Sequence, residues 1–207
     1  MPQKNKQEPT KREKAACARR ALLIEAAVAC FVDDGLARTG MRDIAKKAGV
    51  SIGNLYNHFP GRDDLIAEIA RIDAEELADV MAEVTACDEP QKAVDTFVTQ
   101  YFNHCANFTS AVLTVEITSE ALRNPAVARL FKGTRAMLVK VLEAAIRDAE
   151  RGTAATGPMS RTAVAGLILD MIEGYALRVG LTDKRPNRRD TEALLSVVRR
   201  VLPVGSD

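Results

Sequence analysis

The chain has little of what most chemistry needs. It holds four cysteines, Cys17, Cys30, Cys87 and Cys105, and no two form a C-x-x-C pair. Its two histidines, His58 and His104, share no metal-ligand spacing with them. Reduced, half-buried thiols are the expectation, with redox sensing as the alternative. No Ser/His/Asp arrangement, phosphate loop or paired-carboxylate motif is present, so the residues make no case for an enzyme, a metal site or a cofactor. No apolar run reaches membrane-spanning length and no signal-peptide pattern opens the chain, which predicts a cytoplasmic protein without a membrane span. Tryptophan is absent and aromatics are 4% of residues, while hydrophobic residues reach 47%. Alanine, leucine, glutamate and arginine are plentiful, and these favour helices. A chain of 207 residues can bury a sizeable core.

The net charge of +1 conceals an asymmetry. Through Arg62 there are twelve Lys/Arg against six Asp/Glu, giving +6; beyond it there are seventeen against twenty-two, giving −5. A basic head on an acidic body is what phosphate binding by one end predicts.

Residues 39 to 64, TGMRDIAKKAGVSIGNLYNHFPGRDD, carry the most information. Ile44, Ala45 and Ala48 give a first short helix one apolar face, with Arg42, Asp43, Lys46 and Lys47 polar. Gly49 follows where a helix end often needs a left-handed residue. Ser51 is a good N-cap for a second helix, because its hydroxyl can accept from an orphan backbone N–H. Leu55, Tyr56 and Phe59 recur at helical spacing and predict its anchored side, with Ser51, Ile52, Gly53 and Asn57 projecting elsewhere. Pro60-Gly61 stops that helix. Asp63 and Asp64 place negative charge in the first turn of the next, where the helix dipole favours it. Two short helices joined by a tight glycine turn form a helix-turn-helix, whose main use is to set one helix in the DNA major groove.

DIAKKAGVSIGNLYNHFPGRDDL resembles the DNA-binding signature of the TetR family of bacterial transcription regulators, and RRALLIEAAVACFVDDGLARTG upstream is similar to the same pattern. The resemblance covers roughly the first third of the chain. It implies that Thr39, Arg42, Ser51, Ile52, Gly53, Tyr56, Asn57, His58 and Arg62 contact DNA. Tyr56, His58 and Arg62 match positions that usually meet phosphate, the last commonly a lysine in relatives. Ile52 sits at a position that commonly touches bases, where an isoleucine would meet a thymine methyl. One departure is Gly40, which stands where the family usually has Thr or Ser. Glycine still serves as an N-cap at a cost of a few tenths of a kcal/mol, but the hydroxyl–phosphate bond is lost.

Helical spacing organises the remainder. A basic arm spans residues 1–10 and is expected to be disordered, with Lys4 and Lys6 on it, and with Lys11, Arg12 and Lys14 following. A helix-turn-helix domain spans 11–61, opening with a helix from about Lys11 to Asp34 whose core stripe is Leu22, Leu23, Ala26, Ala27, Cys30 and Phe31. A helical effector-binding and dimerisation domain spans 62–207. Within it a long helix is predicted from about Arg62 to Ala86. Another opens at Asp88-Glu89-Pro90 with Val94, Phe97, Val98, Tyr101, Phe102 and Cys105 inward. A third carries Val112 to Leu122, and a fourth starts at Asn124-Pro125 and ends near Gly152. The segment 151–159 reads as a flexible loop. Two last helices, about 160–180 and 190–202, have wide apolar stripes, and 182–189, with Lys184, Arg185, Arg188 and Arg189, reads as a solvated loop. The whole is all-α with about nine helices.

In the resembling family the last two helices form a four-helix homodimer interface, and two DNA heads at fixed separation need a dimer. Relatives also bind a small molecule in the body. Candidate lining residues here are Met81, Phe97, Tyr101, His104, Phe108, Glu116, Met137, Met171 and Tyr175, which suit a small, largely apolar effector. The expectation is therefore a repressor that binds a palindromic operator in double-stranded DNA as a homodimer and is released by an effector. An activator, or an effector-independent architectural DNA-binding protein, is the alternative.

Overall fold

The computed structural model describes residues 10–150, 159–182 and 186–202. Those residues form nine helices and no strand: α1 Lys11–Asp34, α2 Met41–Lys47, α3 Ile52–His58, α4 Arg62–Thr85, α5 Pro90–Cys105, α6 Phe108–Ala121, α7 Pro125–Ala149, α8 Arg161–Gly180 and α9 Arg188–Val201. The chain divides into two compact units, Met1–Ile69 and Ala70–Asp207, and α4 runs through the division.

Local chemistry sets the boundaries in the first unit. Thr10 accepts from Glu13 N–H while the Glu13 carboxylate accepts from Thr10 N–H at 2.7 Å, a reciprocal cap that opens α1. Gly35, at φ 85°, closes it. The turn between α2 and α3 is built on Gly49 at φ 67°. Its N–H donates to Lys46 O at 3.2 Å, and Val50 N–H reaches back to Ala45 O at 3.0 Å. That nested pair satisfies two orphan carbonyls at once, and it needs a left-handed residue between them. Ser51 then caps α3 by accepting from Asn54 N–H at 3.2 Å. Leu23, Ala27, Phe31, Leu36, Ile44, Leu55, Phe59, Leu65 and Ile66 are all fully or almost fully buried and form the core of this unit.

In the second unit α5 is the central helix. Val94, Phe97, Val98 and Phe102 are fully buried on it, and it packs against α6, α7, α8 and α9. Leu138, Leu142 and Ile146 of α7, Ile168, Leu169 and Ile172 of α8, and Leu194 and Val198 of α9 complete one continuous core. Each helix start has its own device: Pro90 and Pro125 occupy the first turns of α5 and α7, and Asn107, Asn124, Ser160 and Asn187 accept from backbone N–H groups of α6 to α9.

Three expectations change. Leu22 is exposed, so the buried stripe of α1 begins only at Leu23 and includes Ile24. Helix α9 starts at Arg188 rather than near Asp190, because Asn187 caps it through Arg189 N–H and Asp190 N–H. Arg188 and Arg189 are therefore helical, and Arg188 pairs with Glu192 one turn on at 2.7 Å. The arm at 1–9, most of the loop at 151–159, and Lys184 and Arg185 lie outside the described residues. Among the described residues no helix is long and apolar enough to cross a membrane, and no His, Cys, Asp or Glu cluster is arranged to hold a metal.

Candidate nucleic-acid interface

Helix α3 is a short helix with a sharp division of faces. Leu55 and the following Phe59 are buried, and they fix the helix against the rest of its unit. Ser51, Gly53, Asn57 and Pro60 are exposed, Ile52 is 37% exposed and Tyr56 is 47% exposed. Tyr56 therefore departs from its expected place among the anchors: it lies one position beyond Leu55, about 100° around the helix, on the outward side. The result is an outward patch of one hydroxymethyl, one branched alkyl, one bare backbone, one phenol and one amide. A Cβ at Gly53 would meet nothing within 4 Å, so the patch is open there. Arg42, near the start of α2, is also exposed.

His58 is half-buried at the last position of α3, and its backbone carbonyl accepts from Arg20 of α1 at 3.3 Å. The Arg20 guanidinium also stacks over the Phe59 ring at 4.2 Å and pairs with Glu68 of α4 at 3.1 Å. One arginine thus ties α1 and α4 to the end of α3. Nothing in the spacing of the sequence marked Arg20 out, because its partners are 38 and 48 residues away.

Two sequence-derived contacts look different in three dimensions. Thr39 is only 4% exposed, and its hydroxyl donates inward to Gly35 O at 2.9 Å and Cys30 O at 3.2 Å. It holds the end of α1 to the approach of α2 and is withdrawn from the phosphate set. Arg62 is half-buried and donates to Leu36 O at 3.0 Å, so it is a structural tie whether or not it also meets DNA. Gly40 caps α2 as expected, with its N–H donating to the Asp43 carboxylate at 2.9 Å. At the other end of α2, Lys47 pairs with Asp33 at 2.9 Å.

Among the described residues the effector candidates of the second unit divide between the core and the surface. Phe97 and Tyr101 are core residues with ring centroids 5.6 Å apart, and Met81, Met171 and Tyr175 pack against the same core. Phe108 and Met137 are 58% and 47% exposed, so neither is a pocket wall in this conformation. Glu116 is half-buried on α6. His104 has found a protein partner: its Nε2 lies 2.8 Å from the Asp73 carboxylate, with Glu76 3.9 Å from Nδ1. The hydrogen bond to Asp73 raises its pKa against the opposing effect of burial. Tyr101 donates to Glu173 at 2.7 Å, and Arg135 donates to Glu173 at 3.2 Å, to Gly166 O at 3.1 Å and to Asp170 at 2.5 Å. This chain of groups from core to surface was invisible in the sequence, since it joins α5 and α7 to α8 across 31 to 72 residues. Burial holds the Tyr101 phenol protonated and pushes the Cys105 thiol up to about 12, which is unfavourable for thiolate chemistry at that cysteine. A shallow, open depression of about 410 Å³ lies instead on α7 and α8, lined by Lys132, Arg135, Ala136, Val139, Lys140, Glu143 and Thr162. None of the expected lining residues borders it.

Comparison with known proteins agrees with this geometry. The family model for bacterial regulatory proteins of the tetR family matches residues 23–69, and that for the C-terminal part of BetI-type transcriptional repressors matches residues 90–202. The chain is 26% identical over 184 residues to the HTH-type transcriptional regulator UidR of Escherichia coli (strain K12), covering 88% of this chain and 92% of that one. It is 30% identical over 135 residues to the HTH-type transcriptional repressor KstR2 of Rhodococcus jostii (strain RHA1), covering 63% and 66%. Among solved structures, Salmonella enterica GusR superposes with a TM-score of 0.73 at 25% identity, covering 89% of this chain and 95% of that one. The fatty acid degradation regulator FadR of Bacillus halodurans gives 0.71 at 19% identity, covering 96% and 97%. With its second model spanning more than half of the chain, its helix-turn-helix exposed as described and its fold shared with these regulators, the protein belongs to the TetR family and is a DNA-binding transcriptional regulator.

Proposed function

We propose that the protein is a repressor that binds a near-palindromic operator as a homodimer and leaves it when a small, largely apolar molecule occupies the body. The observation that carries the DNA reading is the outward face of α3, where Ile52 and Tyr56 stand exposed beside a buried Leu55. Ser51, Gly53 and the Tyr56 hydroxyl are suited to phosphate and close backbone approach, and Asn57 to a base edge or phosphate. Ile52 offers a methyl surface to a thymine. His58 and Arg42 belong to the same set, as does Arg62, which also donates to Leu36 O.

The dimer reading is supported by apolar groups left outside on the last two helices. Leu167, Leu177, Val197 and Val201 are exposed, as is Leu181 just beyond α8. These are the side chains a second copy would cover, and an isologous contact would pair them with themselves. The division of labour proposed is DNA reading by 11–61 and effector binding with dimerisation by 62–207. An effector can shift DNA affinity only by its differential affinity for two body conformations.

The test is fluorescence anisotropy with duplex DNA from upstream of the protein's own gene. Specific binding is expected, with Ile52→Ala altering base preference at one position and leaving binding to unrelated DNA unchanged. Binding no tighter than to random duplex would sink the operator reading. Raised expression of neighbouring genes in a deletion strain separates repressor from activator.

A further inference from the structure

The first twelve positions of α1, residues 11–22, contain no buried residue, although the helix runs unbroken for 24 residues. Apart from Arg20, which reaches His58 O and Glu68, this half of α1 is held by local chemistry: the reciprocal Thr10–Glu13 cap, four alanines, and continuation from a packed second half that spares it nucleation. Its sequence keeps the register of the packed half. Leu23, Ala26 and Cys30 form the buried stripe, and the same alternation of four and three residues runs back through Arg19, Ala16 and Arg12. The stripe therefore exchanges apolar side chains for arginines where α1 outruns the bundle.

Arg20 gives the anchor point of this end of α1. Its bond to His58 O pins this level of α1 to the end of α3, the helix whose outer face is proposed to enter the groove. Arg12 is eight residues further out, about 12 Å along the axis at 1.5 Å per residue. That span is comparable with the major groove width, also about 12 Å. Lys11, Arg12, Lys14 and Arg19 are exposed there, and the one acid, Glu13, is engaged in the cap.

We infer that the N-terminal half of α1 is a second DNA-binding element, in which Arg12 and Arg19 meet phosphates of the backbone flanking the groove read by α3. Contacts of this kind add affinity without sequence information. The inference rests on the DNA-binding reading of α3, but its test does not need an operator.

The experiment measures anisotropy of the full chain on a random duplex and on the upstream duplex through a salt series from roughly 50 to 200 mM. It compares wild type, Arg12→Ala/Arg19→Ala, Arg12→Lys/Arg19→Lys and, as a charge control on the body, Lys132→Ala/Lys140→Ala. Each phosphate contact contributes about 0.9 to the slope of log affinity against log salt. The alanine pair is expected to flatten the slope by about 1.8 for each DNA-bound head, about 3.6 for a dimer with both heads engaged, with the lysine pair and the body control at the wild-type slope. Alanine is the best helix former, so the melting temperature should stay put. A wild-type slope in the alanine pair, or equal flattening in the body control, overturns the inference. Failure of wild type to prefer the upstream duplex counts against the operator reading alone, because the random duplex still reports the two arginines.

Discussion

The two units use polar groups in opposite ways. In the first, the outward side of α3 presents Ser51, Tyr56 and Asn57 to solvent beside an exposed Ile52. In the second, the polar groups that interrupt apolar helix faces are taken up inside the unit. Tyr101 donates to Glu173, which also takes Arg135, and His104 pairs with Asp73. Tyr175 donates to Asp190 at 3.0 Å, and Arg161 pairs with a buried Glu150 at 2.6 Å. A buried polar group left alone costs more than its hydrogen bond gains when made, so an interior must satisfy its own. A surface built for a charged partner can leave the satisfaction to that partner. The difference teaches where to seek each ligand: DNA meets groups already displayed, whereas an effector of the body must compete with internal bonds or displace core side chains.

The largest effect that would sharpen this contrast is Phe97→Ala. Phe97 is fully buried at the middle of the central helix, and truncating a core phenylalanine costs about 3–5 kcal/mol. Chemical denaturation should show that loss in the transition reporting the second unit. The first unit's core contains no part of Phe97, so amide exchange protection at Leu23, Phe31 and Ile44 should be preserved at temperatures where the body has opened. Parallel loss of protection in both units would break the comparison, since it would make them one cooperative block.

Legibility follows the same line. The turn at Gly49, the cap at Ser51 and the stop at Pro60-Gly61 depend on neighbours within six residues, so local rules suffice to place α2 and α3. The helices of the body were readable from spacing and from the starts at Pro90, Asn124-Pro125 and Ser160, whereas the Asn187 cap that opens α9 was not. What spacing could not supply is which of several apolar residues on one helix faces which neighbour. Phe108 and Met137 looked like Phe97 and Tyr101 in the sequence, and they ended outside because α6 and α7 turn those faces to solvent. Thr39 shows the same limit in the head: a hydroxyl beside a helix start is an ordinary phosphate ligand by pattern, and only the position of Gly35 O and Cys30 O turns it inward.

A middle-sized effect separates two glycines four residues apart. Gly49 has φ 67°, and a Cβ there would meet no atom within 4 Å. The cost of Gly49→Ala is thus backbone strain alone, about 1–2 kcal/mol. Gly53 lies inside α3 with equally open space. Alanine there should stabilise the helix by up to about 1 kcal/mol, yet place a methyl group on the face offered to DNA. Thermal melts should therefore move in opposite directions, while operator affinity falls for Gly53→Ala. A stabilised Gly53→Ala variant with undiminished affinity would remove Gly53 from the contact surface.

The smallest effect concerns pH, and it belongs to the body alone. His104 on α5 is held by the Asp73 carboxylate of α4, whose hydrogen bond raises the histidine pKa; burial opposes the shift, and the charges of Asp73 and Glu76 reinforce it. A raised folded-state pKa means that the protonated form favours the folded state. The stabilisation is fully present below the unfolded value of about 6.5 and is lost as pH rises through the higher folded value. Asp73 is 46% exposed at its side chain, so added salt should shrink the effect. Melting temperature followed upward from about pH 6 should fall more for wild type than for His104→Gln, which carries no titrating ring at that position. His58 is the chain's other histidine, and His58→Gln serves as the control for the head. A decline that disappears in His58→Gln but persists in His104→Gln would place the pH response in the DNA-binding unit. That outcome would reverse the present contrast, in which the body's polar groups are the ones engaged with each other.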